Sequence, residues 1–412
     1  MTFTKKFTAA IATGAVLVNA VAPAAFAAEI SGNGAFSDNT VRIQQNSENV
    51  VSQSNEANVV NNVNSSATTG GNKGSFNTGG ETIVVTGNAK SVTDINNSLN
   101  TNHATVSNCG TCAQGETDVT ISGNGAFSDN KATVDANKQT FLNQTNVANV
   151  RNDVKSNADT GKNDASFNTG GEGSQTVIST GKATTGVSVT TDANKNVAVI
   201  GGGNGSANES SILIKGNGAF SDNKAKLSQN SAVVLDQSNV ANVRNDIEAD
   251  ANTGRNDAGF NTGGITGIYT GNATTAVSVD NAVNFNAASL DCECIVSGVD
   301  AKIAGNGAES KSRVYADSDN ALFNDQVNAA HLANNVDDSA KSGKNDVSFS
   351  TGDVDGDPFI STGNATSGTT VSNEGNSNVF TQGSHFDPSD YDFDIDFDLH
   401  SLWLSLNHWM WV

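Results

Sequence analysis

The chain contains a fourfold repeat whose first part has a constant length. A Gly-Asn-Gly triplet opens each unit, and a Thr-Gly or Ser-Gly pair closes a glycine-free segment 36 positions after the triplet's last glycine. The triplets end at Gly34, Gly125, Gly218 and Gly307, and the closing glycines are Gly70, Gly161, Gly254 and Gly343. Successive triplets are 91, 93 and 89 residues apart, so the length differences fall in the second part of each unit. Repeats on this scale build stacked architectures in which each unit buries its apolar face against its neighbours.

Within the constant part, residue character alternates with period two. In the second unit one set of alternate positions is apolar or amide: Leu142, Gln144, Asn146, Ala148, Val150, Asn152 and Val154. The intervening positions are mostly polar, which is typical of a β-strand with one buried face. A helix would also place Val147, Val150 and Val154 on one side, but asparagine and β-branched residues are poor helix formers. The pattern therefore favours strand.

These features predict an all-β fold, a parallel β-solenoid built of four units of about 91 residues. With about 20–25 residues per coil, each unit would form about four coils, and about sixteen coils would make a rod of roughly 75–80 Å. The corners within the glycine-free segments would then be made by Asn, Asp or Ser. Four β-sandwich domains of about 90 residues are the main alternative. The low aromatic content, 6%, is unusual for sandwich cores.

The N-terminus has the features of a secretory signal. Lys5 and Lys6 precede an apolar stretch from Phe7 to about Ala22, and Ala25-Phe26-Ala27 is a small-x-small cleavage site. The predicted organisation is a signal peptide (1–27), repeat units 1 to 4 (28–119, 120–211, 212–301 and 302–382) and a C-terminal tail (383–412). No other stretch approaches the length of a membrane-spanning helix. We therefore expect a secreted protein, extracellular or on the cell surface, with no membrane span after signal removal.

The second part of each unit is rich in turn residues. Its motif is Gly-x-Asn-Asp-Ala-x-Phe-Asn-Thr-Gly-Gly, best seen at 161–171 and 254–264, and glycine and asparagine there favour turns. The equivalent residues Phe76, Phe167, Phe260 and Phe349 are predicted to fill gaps in the core. A further alternating run follows, as at Val187 and Val189.

Composition and charge exclude one class of partner. The formal net charge is −21, and no basic stripe is present that could displace counterions from a phosphate backbone, so nucleic acid is not an expected partner. About one residue in seven is asparagine, and only 36% of residues are hydrophobic. With three prolines in 412 residues, the composition favours a regular backbone with a thin core over a disordered chain.

Four cysteines form two close pairs in equivalent inter-unit loops. They are Cys109 and Cys112 after unit 1, and Cys292 and Cys294 after unit 3. In an exported protein the simplest interpretation is two local disulfides; intermolecular bridges and metal or redox roles are the alternatives. A bridge between the two loops is not expected, because about eight coils of a rod would separate them by some 40 Å.

Two further segments depart from the repeat. Asp353, Asp355 and Asp357 alternate beside Gly356 in unit 4, where carboxylates could hold calcium or form a solvated acidic turn. The tail alternates acidic and apolar residues and then carries the chain's three tryptophans, Trp403, Trp409 and Trp411. This strand could cap the end of the solenoid or dock onto another subunit or the cell envelope.

Two family resemblances rest on particular tracts. Gln144–Val150 and Asn168–Gly171, followed by Thr180–Ala183, resemble the Asn/Gly/Thr-rich repeats of bacterial secreted surface proteins, which implies a β-solenoid with an adhesive or fibre-forming role. The spacing of Gln53, Asn55, Ala57, Val59 and Asn61 is similar in part to curlin repeats, although Asn55 stands where those repeats have glycine.

The expected function is that of a non-enzymatic cell-surface structural or adhesive protein forming an elongated rod. A curli-like fibre subunit that polymerises through its repeats or its C-terminal strand is the alternative. The expected partners are copies of itself or envelope and surface glycans, with no cofactor except calcium. No catalytic motif stands out, so a β-helix carbohydrate-active enzyme is the less favoured hypothesis.

Overall fold

A computed structural model describes residues 4–8, 13–17, 26–106, 117–201, 210–290, 299–352 and 356–382. Within these ranges all regular secondary structure is β-strand, so the predicted all-β class is confirmed. Two short strands, β1 (Thr4–Thr8) and β2 (Thr13–Leu17), come first. Each repeat unit then contributes four strands, the first of which begins two or three residues before the predicted start of the unit.

The four strands of a unit have nearly the same lengths every time. Unit 1 contains β3 (Phe26–Ser31), β4 (Asp38–Thr68), β5 (Thr82–Val85) and β6 (Ala89–Val106). Unit 2 contains β7 (Thr117–Ser122), β8 (Asp129–Asp159), β9 (Gln175–Ser179) and β10 (Ala183–Ile200). Unit 3 contains β11 (Ser210–Lys215), β12 (Asp222–Asn252), β13 (Ile265–Tyr269) and β14 (Ala273–Leu290). Unit 4 contains β15 (Val299–Ala304), β16 (Lys311–Lys341), β17 (Phe359–Ser361) and β18 (Ala365–Gln382).

Every sheet takes one strand from each unit, and all pairings are parallel. We name the sheets the entry sheet (β3, β7, β11, β15), the long sheet (β4, β8, β12, β16), the short sheet (β5, β9, β13, β17) and the return sheet (β6, β10, β14, β18). The return sheet also carries β1 and β2, which pair with β6 on the side away from β10. This is a parallel β-solenoid, as predicted, and the hydrogen bonds between successive units exclude four independent sandwich domains.

Each unit forms one layer of the stack, not four coils. In the long sheet Asp38 pairs with Asp129, Asp129 with Asp222, and Asp222 with Lys311, so the repeat period is also the register. The predicted sixteen coils and the 75–80 Å rod are therefore wrong. With strands about 4.8 Å apart, the first and last layers lie only about 14 Å apart, while a 31-residue strand extends roughly 100 Å across the stack.

The glycine-free segment is one uninterrupted strand in every unit. Along β8, side chains from Leu142 to Val154 alternate between buried and partly exposed, with the predicted apolar and amide set inside. No corner interrupts this run, so the expected corners of Asn, Asp or Ser are wrong. The segment contains no glycine or proline, and its pattern keeps period two throughout, so nothing in it favours a turn.

The core lies between the long sheet on one side and the return and entry sheets on the other. Leu142 and Leu235 pack against Ile200 and Leu290 near the end of the return strands. At the beginning of the long strands, Val134 packs against Ile121 of the entry sheet. Each layer is thus a flattened coil with a thin, two-sided core.

In the described part of the chain, length differences between units fall in turns. Thr78 of unit 1 pairs with Thr169 of unit 2, which is 91 positions later in the sequence. Thr82 pairs with Thr176, which is 94 positions later. Unit 2 therefore has three more residues than unit 1 in the glycine-rich turn between these positions. The strands on either side keep their pairing, because an insertion in a turn leaves the side-chain alternation of the strands intact.

Candidate functional site

Columns of stacked amides run through the stack from layer to layer. In one column Gln144 Nε2 donates to Gln53 Oε1 at 2.7 Å, Gln237 donates to Gln144 at 2.7 Å, and Gln326 donates to Gln237 at 2.6 Å. Gln144 and Gln237 are fully buried. Burying an amide without hydrogen-bond partners costs free energy, and here each layer supplies a partner for the buried amide of its neighbour.

A second amide column is cross-linked between the two main sheets. Asn146 of the long sheet donates to Asn239 in the next layer at 3.1 Å and to Asn196 of the return sheet at 2.8 Å. Asn196 in turn donates to Asn239 at 2.9 Å. The same zigzag recurs in the other layers, so the buried polar groups form one network along the stack axis. Such a network fixes the register, because a shift by one residue would leave every member unpaired.

Asparagines in a left-handed backbone conformation form a third column in the return sheet. Asn100, Asn194, Asn284 and Asn376 have φ values of 56° to 67°, which asparagine tolerates better than most residues. Nδ2 of each of the first three asparagines donates to Oδ1 in the next layer, at 2.9 Å from Asn100 to Asn194 and 3.0 Å in the two following steps. The column therefore has a direction, with donors pointing from unit 1 towards unit 4. At its beginning, Asn100 Oδ1 is buried and has no hydrogen-bond partner within the described ranges.

The stack ends in two long strand edges. β4 pairs only with β8, and β16 pairs only with β12, so within the described residues each presents one unpaired edge along 31 residues. Nearly all side chains of β16 and β18 are exposed or partly exposed. Free parallel edges of this length are templates for pairing with another chain. These two edges are the candidate functional site.

Phenylalanine side chains form columns outside the core. Phe76, Phe167, Phe260 and Phe349 are 48–77% exposed and have φ values of 54° to 62°. Their rings stack with centroids 4.8–5.1 Å apart. The prediction that they fill gaps in the core is therefore wrong: the left-handed turn directs each ring outward, where it packs on its equivalent in the next layer.

Another stacked column, which the sequence pattern did not predict, lies at the turn before the long strands. Phe36, Phe127 and Phe220 stack with centroids 5.0 Å apart and also have positive φ. Glu309 occupies this position in unit 4, so the column stops at the last layer. The available signal was the recurrence of Phe two residues after three of the four Gly-Asn-Gly triplets.

Charged groups at the turns connect neighbouring layers. Asp164 of unit 2 forms an ion pair with Lys73 of unit 1 at 3.0 Å and accepts a hydrogen bond from Ser75 at 2.8 Å. Burial raises the pKa of Asp164, but hydrogen bonds from Ser75, Lys73 and Ser166 outweigh it, so the pKa lies below its ordinary value. These contacts add polar links between layers at the surface.

Most of the predicted site residues lie outside the described ranges. This applies to Cys109, Cys112, Cys292 and Cys294, to Asp353 and Asp355, and to Trp403, Trp409 and Trp411. Asp357 is described and exposed. No group of three or more His, Cys, Asp or Glu residues in the described part of the chain could hold a metal ion. The calcium site, the disulfides and the role of the tail stay predictions.

One expectation about the cysteine loops needs correction. Val106 and Leu290, the residues at which β6 and β14 end before these loops, occupy the same column two layers apart. Two strand spacings amount to about 10 Å. The expected separation of some 40 Å is therefore wrong, and distance no longer argues against a bridge between the loops.

Comparisons with known proteins give no relative. No protein-family model matches the chain, and neither a curated protein nor a solved structure matches it. In the described part of the chain, no helix is long and apolar enough to cross a membrane.

Proposed function

We propose that the protein is an exported, non-enzymatic structural protein of the cell surface, and that it acts as a subunit of a fibre that grows by stacking of its repeat layers. The observation that carries this proposal is the pair of free edges on β4 and β16, each of which pairs along its whole length on its other side. A strand that already templates one parallel neighbour over 31 residues can template a second in the same way.

The dimensions of the layer support assembly over a role as a single rod. Four layers span about 14 Å along the stack axis but roughly 100 Å across it, so one chain is wider than it is tall. An elongated object requires many copies. The fold thus favours a fibre that grows by stacking of its repeats over a rod made by a single chain.

The chemistry of the edges also suits stacking. The core is thin and rich in amides, and ladders of Asn and Gln are stabilised by a further identical layer on each side. At the unit 4 edge, Gln326 and Asn328 are partly exposed, and within the described residues no further layer lies beyond them. Addition of a second copy extends the amide columns together, which favours self-association over a glycan partner.

Electron microscopy and fibre diffraction of the mature chain, purified from the medium of a secreting host, test the proposal. We expect unbranched fibres about 100 Å wide, with a meridional reflection at about 4.7–4.8 Å, because the strands lie across the axis. Particles that stay monomeric at all concentrations would contradict the fibre. Release of reducing ends from acidic polysaccharides would contradict the non-enzymatic role.

A further inference from the structure

Three columns of glycine mark where layers approach too closely for any side chain. A Cβ atom added to Gly70, Gly161 or Gly254 would collide with the carbonyl oxygen of the closing glycine in the next layer. A Cβ on Gly125 or Gly218 would collide with the backbone of the preceding layer. A Cβ on Gly181 or Gly271 would lie 2.5 Å from the carbonyl oxygen of Gly87 or Gly181 in the preceding layer. Glycine is required at these positions by the neighbouring layer.

The glycine at one end of each column has no such neighbour among the residues that the structure describes. Within that part of the chain, a Cβ on Gly343, at the unit 4 end, would meet nothing within 4 Å, and the same holds for Gly34 and Gly87 at the unit 1 end. None of the three has a positive φ, so their backbone conformation is open to any residue. Glycine at such a site is unfavourable in a single chain, because alanine would reduce the conformational entropy of the unfolded state.

A buried polar atom at the unit 1 end points to the same missing neighbour. Asn100 is fully buried, and its Oδ1 has no hydrogen-bond partner among the residues that the structure describes, whereas the same atom of Asn194, Asn284 and Asn376 accepts an amide hydrogen of the preceding layer. Asn376, in the last layer, is the column member whose amide would supply the missing donor if unit 4 of another copy lay there. The two ends of this column are therefore complementary, with an amide donor at one and an unpaired acceptor at the other.

We propose that unit 4 of one copy seats in register on unit 1 of the next copy, with Gly343 against Gly70, Gly307 against Gly34, and Gly363 against Gly87. The inference deepens the proposed fibre and rests on it. It fixes which edges meet, the polarity of the fibre and the register. In this arrangement all three glycine columns continue from one copy into the next, so the glycine at each column end contacts a neighbouring layer.

Other side chains agree with this register. Gln326 falls on Gln53 and Asn328 on Asn55, so both buried amide columns continue from one copy to the next. Lys311 falls beside Asp38, which places opposite charges together at the beginning of the long strands. Glu309 falls beside Phe36, so the phenylalanine column before the long strands is interrupted once per copy.

The test compares three single substitutions in the mature chain: Gly343→Ala, Gly34→Ala and the control Gly368→Ala. A Cβ on Gly368 would also meet nothing within 4 Å, and its φ is not positive, but its column contains Val92 and Ala276, so stacking tolerates a side chain there. Fibre formation is followed by light scattering and electron microscopy, and monomer stability by thermal unfolding before assembly.

We expect Gly343→Ala and Gly34→Ala to raise the critical concentration for assembly at least about tenfold, while the monomer melts at the same or a higher temperature. The Gly368→Ala control assembles like the wild type. Assembly of Gly343→Ala at the critical concentration of the wild type would contradict the proposed register but not the proposed fibre. Absence of fibres from the wild type itself would instead refute the proposed function.

A mixing experiment adds a second readout. A Gly343→Ala chain has an altered unit 4 end but an intact unit 1 end, so it can add to a growing fibre and stop further growth there. We expect substoichiometric inhibition of wild-type assembly by Gly343→Ala, and none by Gly368→Ala. Failure of Gly343→Ala to inhibit would contradict the assigned polarity.

Discussion

At the scale of single residues, the buried asparagines connect the layers through side-chain hydrogen bonds. Asn152 is fully buried, accepts from Asn61 at 2.7 Å and donates to Asn245 at 2.6 Å. Asn149 lies three residues away on the exposed face, in an equivalent column that faces water. Stability should therefore depend on the first asparagine far more than on the second.

We predict that Asn152→Ala lowers the free energy of unfolding by about 1–3 kcal/mol, because Asn97 and Asn245, both fully buried, each lose a hydrogen-bond partner. Asn149→Ala should change it by no more than about 0.5 kcal/mol, since water replaces the lost bonds. Denaturant unfolding of the monomeric chain measures both. Equal losses for the two variants would show that the buried column is no more important than the exposed one.

Asp280 provides a residue-scale prediction about pH. Its side chain is 7% exposed, and Oδ1 has no hydrogen-bond partner in the part of the chain that the structure describes. Burial raises its pKa, with a smaller contribution from the charge of Glu374 in the next layer, and a hydrogen bond with Ser372 acts in the opposite direction. Because the folded chain holds this proton more tightly than the unfolded chain, stability falls as pH rises from the unfolded pKa through the raised folded pKa.

Asp280→Asn should therefore raise the melting temperature at pH 7, and the gain should disappear at acidic pH, where the carboxyl is protonated. Asp246 is the matched control, because a hydrogen bond from Arg244 is the main cause that lowers its pKa. Asp246→Asn should slightly lower the melting temperature at pH 7, because an exposed ion pair stabilises a fold only weakly. A gain from Asp280→Asn that is the same at every pH would refute the explanation by ionisation.

At the scale of strands and turns, the fold separates positions that tolerate insertion from positions that do not. Unit 2 already carries three more residues than unit 1 in the turn before the short strand. Inserting Gly-Ser-Gly after Glu81 should therefore leave the melting temperature nearly unchanged. One alanine inserted after Asn146 in β8 should abolish cooperative unfolding, because every later inward side chain turns outward. Circular dichroism melts of both variants measure this. Similar losses of melting temperature in the two variants would contradict the conclusion that only the turns tolerate insertions.

The sequence predicted the strands better than it predicted their partners. Alternation from Leu142 to Val154 is a local property, so the strand and its buried face could be predicted and are confirmed. Layer number depends on which residues pair across the stack, and Asp38 with Asp129 is a contact over 91 positions that no local pattern indicates. Phe76 was misplaced because its left-handed φ, not its apolar character, decides where the ring lies. The role of the glycines at the column ends could not be predicted either, because it depends on contacts between layers and not on the sequence of one unit.

For the whole molecule, the end of the stack formed by unit 1 is partly covered by the chain's own N-terminus. β1 pairs with Val92–Asn96 of β6, and β2 pairs with Thr101–Thr105. In the proposed fibre, β18 of the preceding copy would occupy this same edge of β6. These strands fall within the predicted signal peptide, so its removal would uncover the edge after export.

We predict that the full-length chain assembles more slowly than the chain beginning at Ala28, with a longer lag phase at equal concentration. β1 and β2 pair with only five residues of β6 each, so they are a weaker partner for β6 than an 18-residue strand of a second copy. They should therefore delay stacking without preventing it. A full-length variant with residues 4–17 replaced by a Gly/Ser sequence of equal length is the control, since it keeps the added chain but loses the pairing. This control should assemble as fast as the shortened chain; a lag as long as that of the unmodified full-length chain would show that bulk, not strand pairing, causes the delay.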